Sequence, residues 1–256
     1  MYLHRYIRLT PAYGFMLLFY TCLMLYSYDG PLKPVNTAIG DAFCSSHWYA
    51  NILYVNNVVK PLEQCAPWSW YLSDDFQYFL LTPFVVYILY RLPVGGVILS
   101  VAMVMASIGS AIGASVKYDL GVAMFFGRTS FLDPVEITDD AQDYYYAPWT
   151  RYQSFGIGIL FGYCLWRCNG KMPLSKVGNV CMWVISLGIM LAVLYGPYEL
   201  IAGKRVGTVA ETAIYNGFGR TGWSIALGYI ILACCLESGG WVNELLSWPG
   251  FVPLAE

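Results

Sequence analysis

Long apolar runs broken by short polar connections organise this chain from end to end. Six of them, at residues 11–28, 76–92, 94–115, 152–166, 180–197 and 219–236, approach the roughly 20 helical residues that cross a hydrocarbon core of about 30 Å. Their continuity predicts helices. Barrel strands would be about 9–11 residues long and would alternate in polarity. Pro11 reads as the first-turn proline of the first helix, where its missing N–H costs nothing. The connection LPVGG at residues 92–96 predicts a tight hairpin between the second and third helices. The expected fold is therefore all-α, a polytopic transmembrane bundle of about six spans occupying residues 1–256 as one domain.

Composition agrees with that pattern. Of 256 residues, 58% are hydrophobic, 17% aromatic and 12% charged, against roughly 25% charged in ordinary soluble domains. A net charge of -2 offers no polybasic surface, which removes nucleic acid from the expected partners. The lipid bilayer remains as one partner, and nothing in the pattern sets an oligomeric state. The basic N-terminus MYLHRYIR, the turn with Arg91, and the connection with Arg167, Lys171 and Lys176 would face the cytoplasm by the positive-inside rule. Both ends of the chain would then be cytoplasmic. Residues 29–75 and 117–151, the latter with Asp133, Glu136, Asp139, Asp140 and Asp143, become exterior loops.

That orientation sorts the eight cysteines. Six fall in or beside spans, where a thiol serves as a small apolar filler. Cys164 and Cys168 lie one helical turn apart without a further ligand, so no metal site is expected. Cys44 and Cys65 share the first exterior loop, an oxidising setting, and are expected to form a disulfide closing a loop of about 20 residues.

Polar chemistry is concentrated at the ends of the spans. Arg5 and Arg8, three apart, would share one helix face and offer two guanidinium forks for a phosphate-bearing donor such as a coenzyme A thioester. The competing reading is a pair of snorkelling interfacial anchors. In WSWYLSDDFQYFLLTPF, Asp75 and Gln77 would enter the membrane from the opposite, exterior face beneath Trp68, Trp70 and Tyr71. Ser73 or Asp74 would cap the helix, which leaves a second aspartate and a glutamine to account for. Tyr144, Tyr145, Tyr146 and Trp149 read as an interfacial belt. Arg220 has Glu211 as its nearest upstream acid. GxxxG at Gly109 and Gly113, and again at Gly158 and Gly162, predicts close helix packing. Only two histidines occur, His4 and His47, and neither lies in an apolar run, so no general base is placed beside a span. No phosphate loop, nucleophile elbow or zinc motif is present.

RYIRLTP before a long hydrophobic run, then Cys44, HWYANILYVNN, Cys65, WSWYLSDDFQYFLLTP and YYYAPWTRYQSFGIGILFGY, resemble the acyltransferase-3 superfamily of integral membrane acyltransferases. Within it they are most similar to the nose-resistant-to-fluoxetine animal branch. The resemblance implies transfer of an acyl group other than an aminoacyl group, from an acyl-CoA donor to a lipid or small-molecule acceptor, with no bound cofactor. It assigns donor or substrate contacts to Arg5, Arg8, Trp70 and Arg151, and catalytic positions to Asp75 and Gln77. It also places a span with the catalytic histidine ahead of RYIRLTP and further spans after the last residues. The 256 residues are accordingly expected to be the middle of a larger domain, inactive alone, in the plasma membrane or endoplasmic reticulum. A membrane carrier for lipids or lipophilic drugs is the alternative reading.

Overall fold

The computed structural model describes residues 1–24, 36–122 and 142–251, with backbone alone at 24, 36–42 and 142–143. No strand occurs among them. The helices are α1 (Tyr2–Phe19), α2 (Asn36–Ile52), α3 (Trp70–Arg91), α4 (Pro93–Lys117), α5 (Pro148–Cys168), α6 (Lys176–Tyr195), α7 (Tyr198–Ile201), α8 (Val209–Cys235) and α9 (Gly240–Leu246). Each expected apolar run lies on one of them, although residues 25–28 of the first run fall outside the described residues. The acidic cluster at Asp133, Glu136, Asp139 and Asp140 also falls outside, as does the side chain of Asp143. Among the described residues, three segments are long and apolar enough to cross a membrane: Pro93–Lys117, Lys176–Ile201 and Val209–Cys235. The other expected spans, on α1, α3 and α5, are helices that fall outside that set.

The chain forms two compact units. Unit 1 contains α1, α2, the segment 53–69, residues 70–84 of α3 and the turn 142–148. Helix α1 runs antiparallel to α3 and its lead-in. Tyr2 meets Phe79 at 5.8 Å, Tyr6 meets Phe76 at 6.2 Å, Tyr13 donates to Ser69 Oγ at 2.7 Å, and Tyr20 meets Trp68 at 4.7 Å. The aromatic rings that made these segments look fit for lipid instead interlock in edge-to-face pairs, each worth about 0.5–1.5 kcal/mol beyond area burial. Cys44 and Cys65 form the expected disulfide. It joins α2 to the end of segment 53–66 and sits in a core with Tyr13, Leu17, Tyr54 and Ala66.

Several expectations are corrected here. Residues 29–75 are not a simple loop, since α2 fills 36–52 and α3 begins at Trp70. Helix α1 begins at Tyr2 and carries Pro11 within it. Apolar character picks out residues 11–28, but the helix itself extends through RYIRLT because Tyr2, Arg5 and Tyr6 have partners on α3. Ser73 and Asp74 lie inside α3 rather than capping it, because a 3₁₀ turn at Pro67–Ser69 opens the helix earlier. Tyr144 is buried, and Tyr145 and Tyr146 pack on Trp70 at 5.1 and 6.3 Å. These tyrosines are unit 1 core rather than a belt, while Trp149 is exposed.

Unit 2 contains residues 85–91 of α3 and helices α4 to α9. The LPVGG turn makes the expected hairpin, with Gly96 so close to Leu89 that a Cβ there would lie 2.5 Å from the Leu89 Cα. Helix α8 packs against α4 and α6. Gly217 admits Ile112 of α4, and Gly228 admits the Phe161 ring of α5, each at 2.5 Å from where a Cβ would stand. The expected packing glycines are not the ones used. Gly109, Gly113, Gly158 and Gly162 have no such neighbour within 4 Å among the described residues. Buried hydroxyl and amide pairs cross the helices as they do in lipid-embedded bundles. Thr221 donates to Gln153 at 2.5 Å, and Asn216 donates to Ser115 at 2.7 Å. Arg220 does not use Glu211; its guanidinium reaches the Thr150 carbonyl at 3.5 Å, and Glu211 is taken by Arg205.

Candidate functional site

The polar residues of unit 1 gather at the first turns of α3 in two groups. Arg5 on α1 forms an ion pair with Asp75 on α3, and its guanidinium carbon lies 4.1 Å from the Phe79 ring centre. Both charged side chains are about a quarter exposed, at 24% and 29%. The pair is sheltered yet open to a ligand on one side. This contact overturns the placement of Arg5 and Asp75 on opposite membrane faces. Counting basic residues treats every arginine as a cytoplasmic anchor, and it misplaces one whose charge is balanced by a carboxylate 70 residues away.

Behind the pair lies a buried amide cluster. Asn57 donates to Asp74 Oδ1 at 2.6 Å, and both residues are 2% exposed. Asn57 and Gln77 exchange amide hydrogen bonds, Gln77 Nε2 donating to Asn57 Oδ1 at 2.7 Å and Asn57 Nδ2 to Gln77 Oε1 at 3.3 Å. Gln77 Nε2 also donates to the Tyr54 carbonyl at 2.9 Å. Tyr54 holds a left-handed φ of 58°, an unusual backbone for a bulky residue that must be stabilised from outside. Stacking on Phe76 at 4.5 Å and a 3.2 Å contact between its hydroxyl and Thr10 Oγ1 supply that support. Burial pushes the Tyr54 phenol pKa up, so it stays protonated across the ordinary pH range.

A second layer extends the cluster toward the disulfide. Ser73 donates to Asn56 Oδ1, and Asn56 donates to Gln64 at 2.7 Å and to Ser69 at 3.2 Å. Asn51 donates to both Tyr13 and Ser69, at 2.8 and 2.9 Å. Burying so many amides is tolerable because most of their polar atoms are paired within the cluster, the Asn51 Oδ1 being left without a partner among the described residues. On the exposed edge of the same segment, Lys60 hydrogen-bonds Glu63 at 2.9 Å, which holds that carboxyl pKa below its ordinary value. His47 Nε2 lies 3.4 Å from Glu63.

Arg5, Asp75, Gln77 and Trp70 therefore belong to one unit, with Trp70 packed on Tyr145 and Tyr146. Arg8 is exposed on α1. It does not form a joint fork with Arg5, whose guanidinium is engaged by Asp75 and Phe79. The Gln77 amide is committed to the Tyr54 carbonyl and to Asn57. Arg151 is half-buried in unit 2. Sequence reasoning missed Asn51, Asn56, Asn57, Gln64 and Asp74. The available signal was the density of asparagines in NILYVNN, between two cysteines expected to pair.

Residues 1–250 match the acyltransferase-3 family, described as an acyltransferase domain. The chain belongs to this family. It is 29% identical over 269 residues to Nose resistant to fluoxetine protein 6 of Caenorhabditis elegans, an alignment that covers 100% of this chain and 32% of that protein. The chain thus spans about a third of the length of this curated relative. No solved structure matches it. Family membership agrees with the apolar helices of unit 2, and together they make this a multi-pass membrane protein of the acyltransferase-3 family.

Proposed function

We propose that unit 1 carries part of the reaction centre of a membrane acyltransferase, which moves an acyl group from an acyl-CoA thioester to a hydroxyl of a lipid or small molecule. The observation that carries this reading is the sheltered Arg5–Asp75 pair held over the buried Asn57, Asp74 and Gln77 cluster. An ion pair only about a quarter exposed, on helices that carry mostly apolar side chains, is suited to a working site. In the transfer, the acceptor oxygen attacks the thioester carbonyl, the acceptor proton leaves to a general base, and the carbon–sulfur bond breaks to release coenzyme A thiol. The family resemblance gives the base role to a histidine on a span preceding Arg5. Asp75 is suited to orient either that imidazole or the acceptor hydroxyl, and Arg5 fixes the carboxylate in one position. Exposed Arg8 is suited to a donor phosphate, which prefers an arginine fork that is not already paired. The Cys44–Cys65 disulfide supports an oxidising compartment for its end of unit 1, as at the outer face of the plasma membrane or in the lumen of the endoplasmic reticulum.

Equilibrium binding of a labelled acyl-CoA to the purified native protein tests the donor. Saturable binding is expected, and Arg8→Ala should weaken it about tenfold, the effect of losing one charge-assisted contact worth about 1.4 kcal/mol. Saturable binding of a labelled phospholipid with no binding of acyl-CoA would replace the transferase by a lipid carrier.

A further inference from the structure

A wedge-shaped groove opens between α6 and α8, both long and apolar enough to cross a membrane. Ile189, Ala192 and Val193 line one side and Ile214, Tyr215 and Phe218 the other of an open groove of about 650 Å³, with Ile214 and Phe218 about half exposed; the volume is within the range of small-ligand sites. Gly222 marks its closed end, since a Cβ there would stand 3.3 Å from Ile189 and 3.6 Å from Val193. Tyr215 donates to the Val193 carbonyl at 2.9 Å and braces the floor. From Glu211 to Gly219 the groove runs about 12 Å along α8, at about 1.5 Å per residue. Its open end is polar and locally neutral. Arg205 is bound to Glu211 at 2.5 and 2.8 Å and to Glu199 at 3.1 Å. Lys204 stands over the Tyr198 ring at 4.6 Å and is exposed.

An open apolar groove that runs along two membrane-length helices from a charged rim matches a molecule with a long hydrocarbon tail and an ionic head. Two cations beside two carboxylates complement a head that carries both signs. We propose that the wedge binds one acyl chain of a zwitterionic glycerophospholipid, with the lipid phosphate at Lys204 and the quaternary ammonium toward Glu199. The site is separate from Arg5 and Asp75 and does not rest on the acyl-transfer reading.

The test places the native protein in phosphatidylcholine nanodiscs containing a trace of phosphatidylcholine with a diazirine on one acyl chain, followed by irradiation and peptide mapping. Label should concentrate several-fold on Ile189, Val193, Ile214 and Phe218 relative to Val184 and Leu187, which lie on the exposed face of α6. Gly219→Trp, which fills the slot, should abolish that excess, and Lys204→Glu should reduce it several-fold. A diacylglycerol carrying the same diazirine but no phosphate should show no excess in the wild-type protein, a comparison that needs no variant to fold. Equal labelling of both faces would overturn the proposal. So would equal concentration of the diacylglycerol probe, or a wedge filled by another segment of the native polypeptide.

Discussion

Asn57→Leu is expected to destabilise unit 1 by about 3 kcal/mol and to abolish its function, with purified protein showing an early loss of structure on heating. Leucine fills nearly the same volume, so packing is preserved while three hydrogen bonds vanish. Asp74 loses the donor 2.6 Å away, a loss of roughly 1–3 kcal/mol for a buried acceptor and more for a charged one. Gln77 loses both halves of its reciprocal amide pair, each worth about 0.5–1.5 kcal/mol net. The damage should spread, because Gln77 also holds the Tyr54 carbonyl and Tyr54 holds Phe76. Asn57→Asp should be worse than leucine, since it sets a second carboxyl against Asp74 in a site 2% exposed. Thermal unfolding indistinguishable from wild type in both variants would remove the amide cluster from the account.

Cys65→Ser carries the second large effect. Its bond to Cys44 closes 21 residues, and a loop of that length contributes about 3 kcal/mol on the chain-entropy model. At roughly 2–4 °C per kcal/mol for a protein of this size, the thermal midpoint should fall by about 6–12 °C. The segment inside the closed loop supplies Asn51, Tyr54, Asn56, Asn57 and Gln64, so the same change loosens every amide that supports Asp74 and Gln77. Dithiothreitol should reproduce the shift in the wild type and leave Cys65→Ser unmoved. A reductant-insensitive wild-type midpoint would show that the disulfide does not hold this segment.

What the sequence discloses about this protein follows the range over which each signal acts. Apolar runs and the LPVGG turn are local, and the helices at 70–91, 93–117, 176–195 and 209–235 contain most of those runs, although α3 and α8 begin six and ten residues before theirs. The disulfide is legible because two cysteines share a polar interval among residues otherwise suited to lipid. Helix α2 is hidden because its sequence alternates small, polar and aromatic residues without a clean apolar stripe. The Arg5–Asp75 pair spans 70 positions and the Asn57–Asp74 pair 17, and no periodicity in either segment announces such partners. Asp74 and Asp75 are adjacent in sequence yet part ways in space, one buried against Asn57 and the other facing Arg5. A helix cap accounts for one of the two and leaves Asp75 over, but its pairing with an arginine depends on α1 extending back to Tyr2.

The most direct test of the central claim is transfer of a radiolabelled acyl group from acyl-CoA to membrane acceptors by the native protein, comparing wild type with Asp75→Ala and Arg5→Ala at matched amounts in the membrane. Both variants should transfer at less than about a hundredth of the wild-type rate, the scale expected when a group that positions or stabilises the reacting atoms is removed. Wild-type rates in both would contradict the assignment of this pair to the reaction centre.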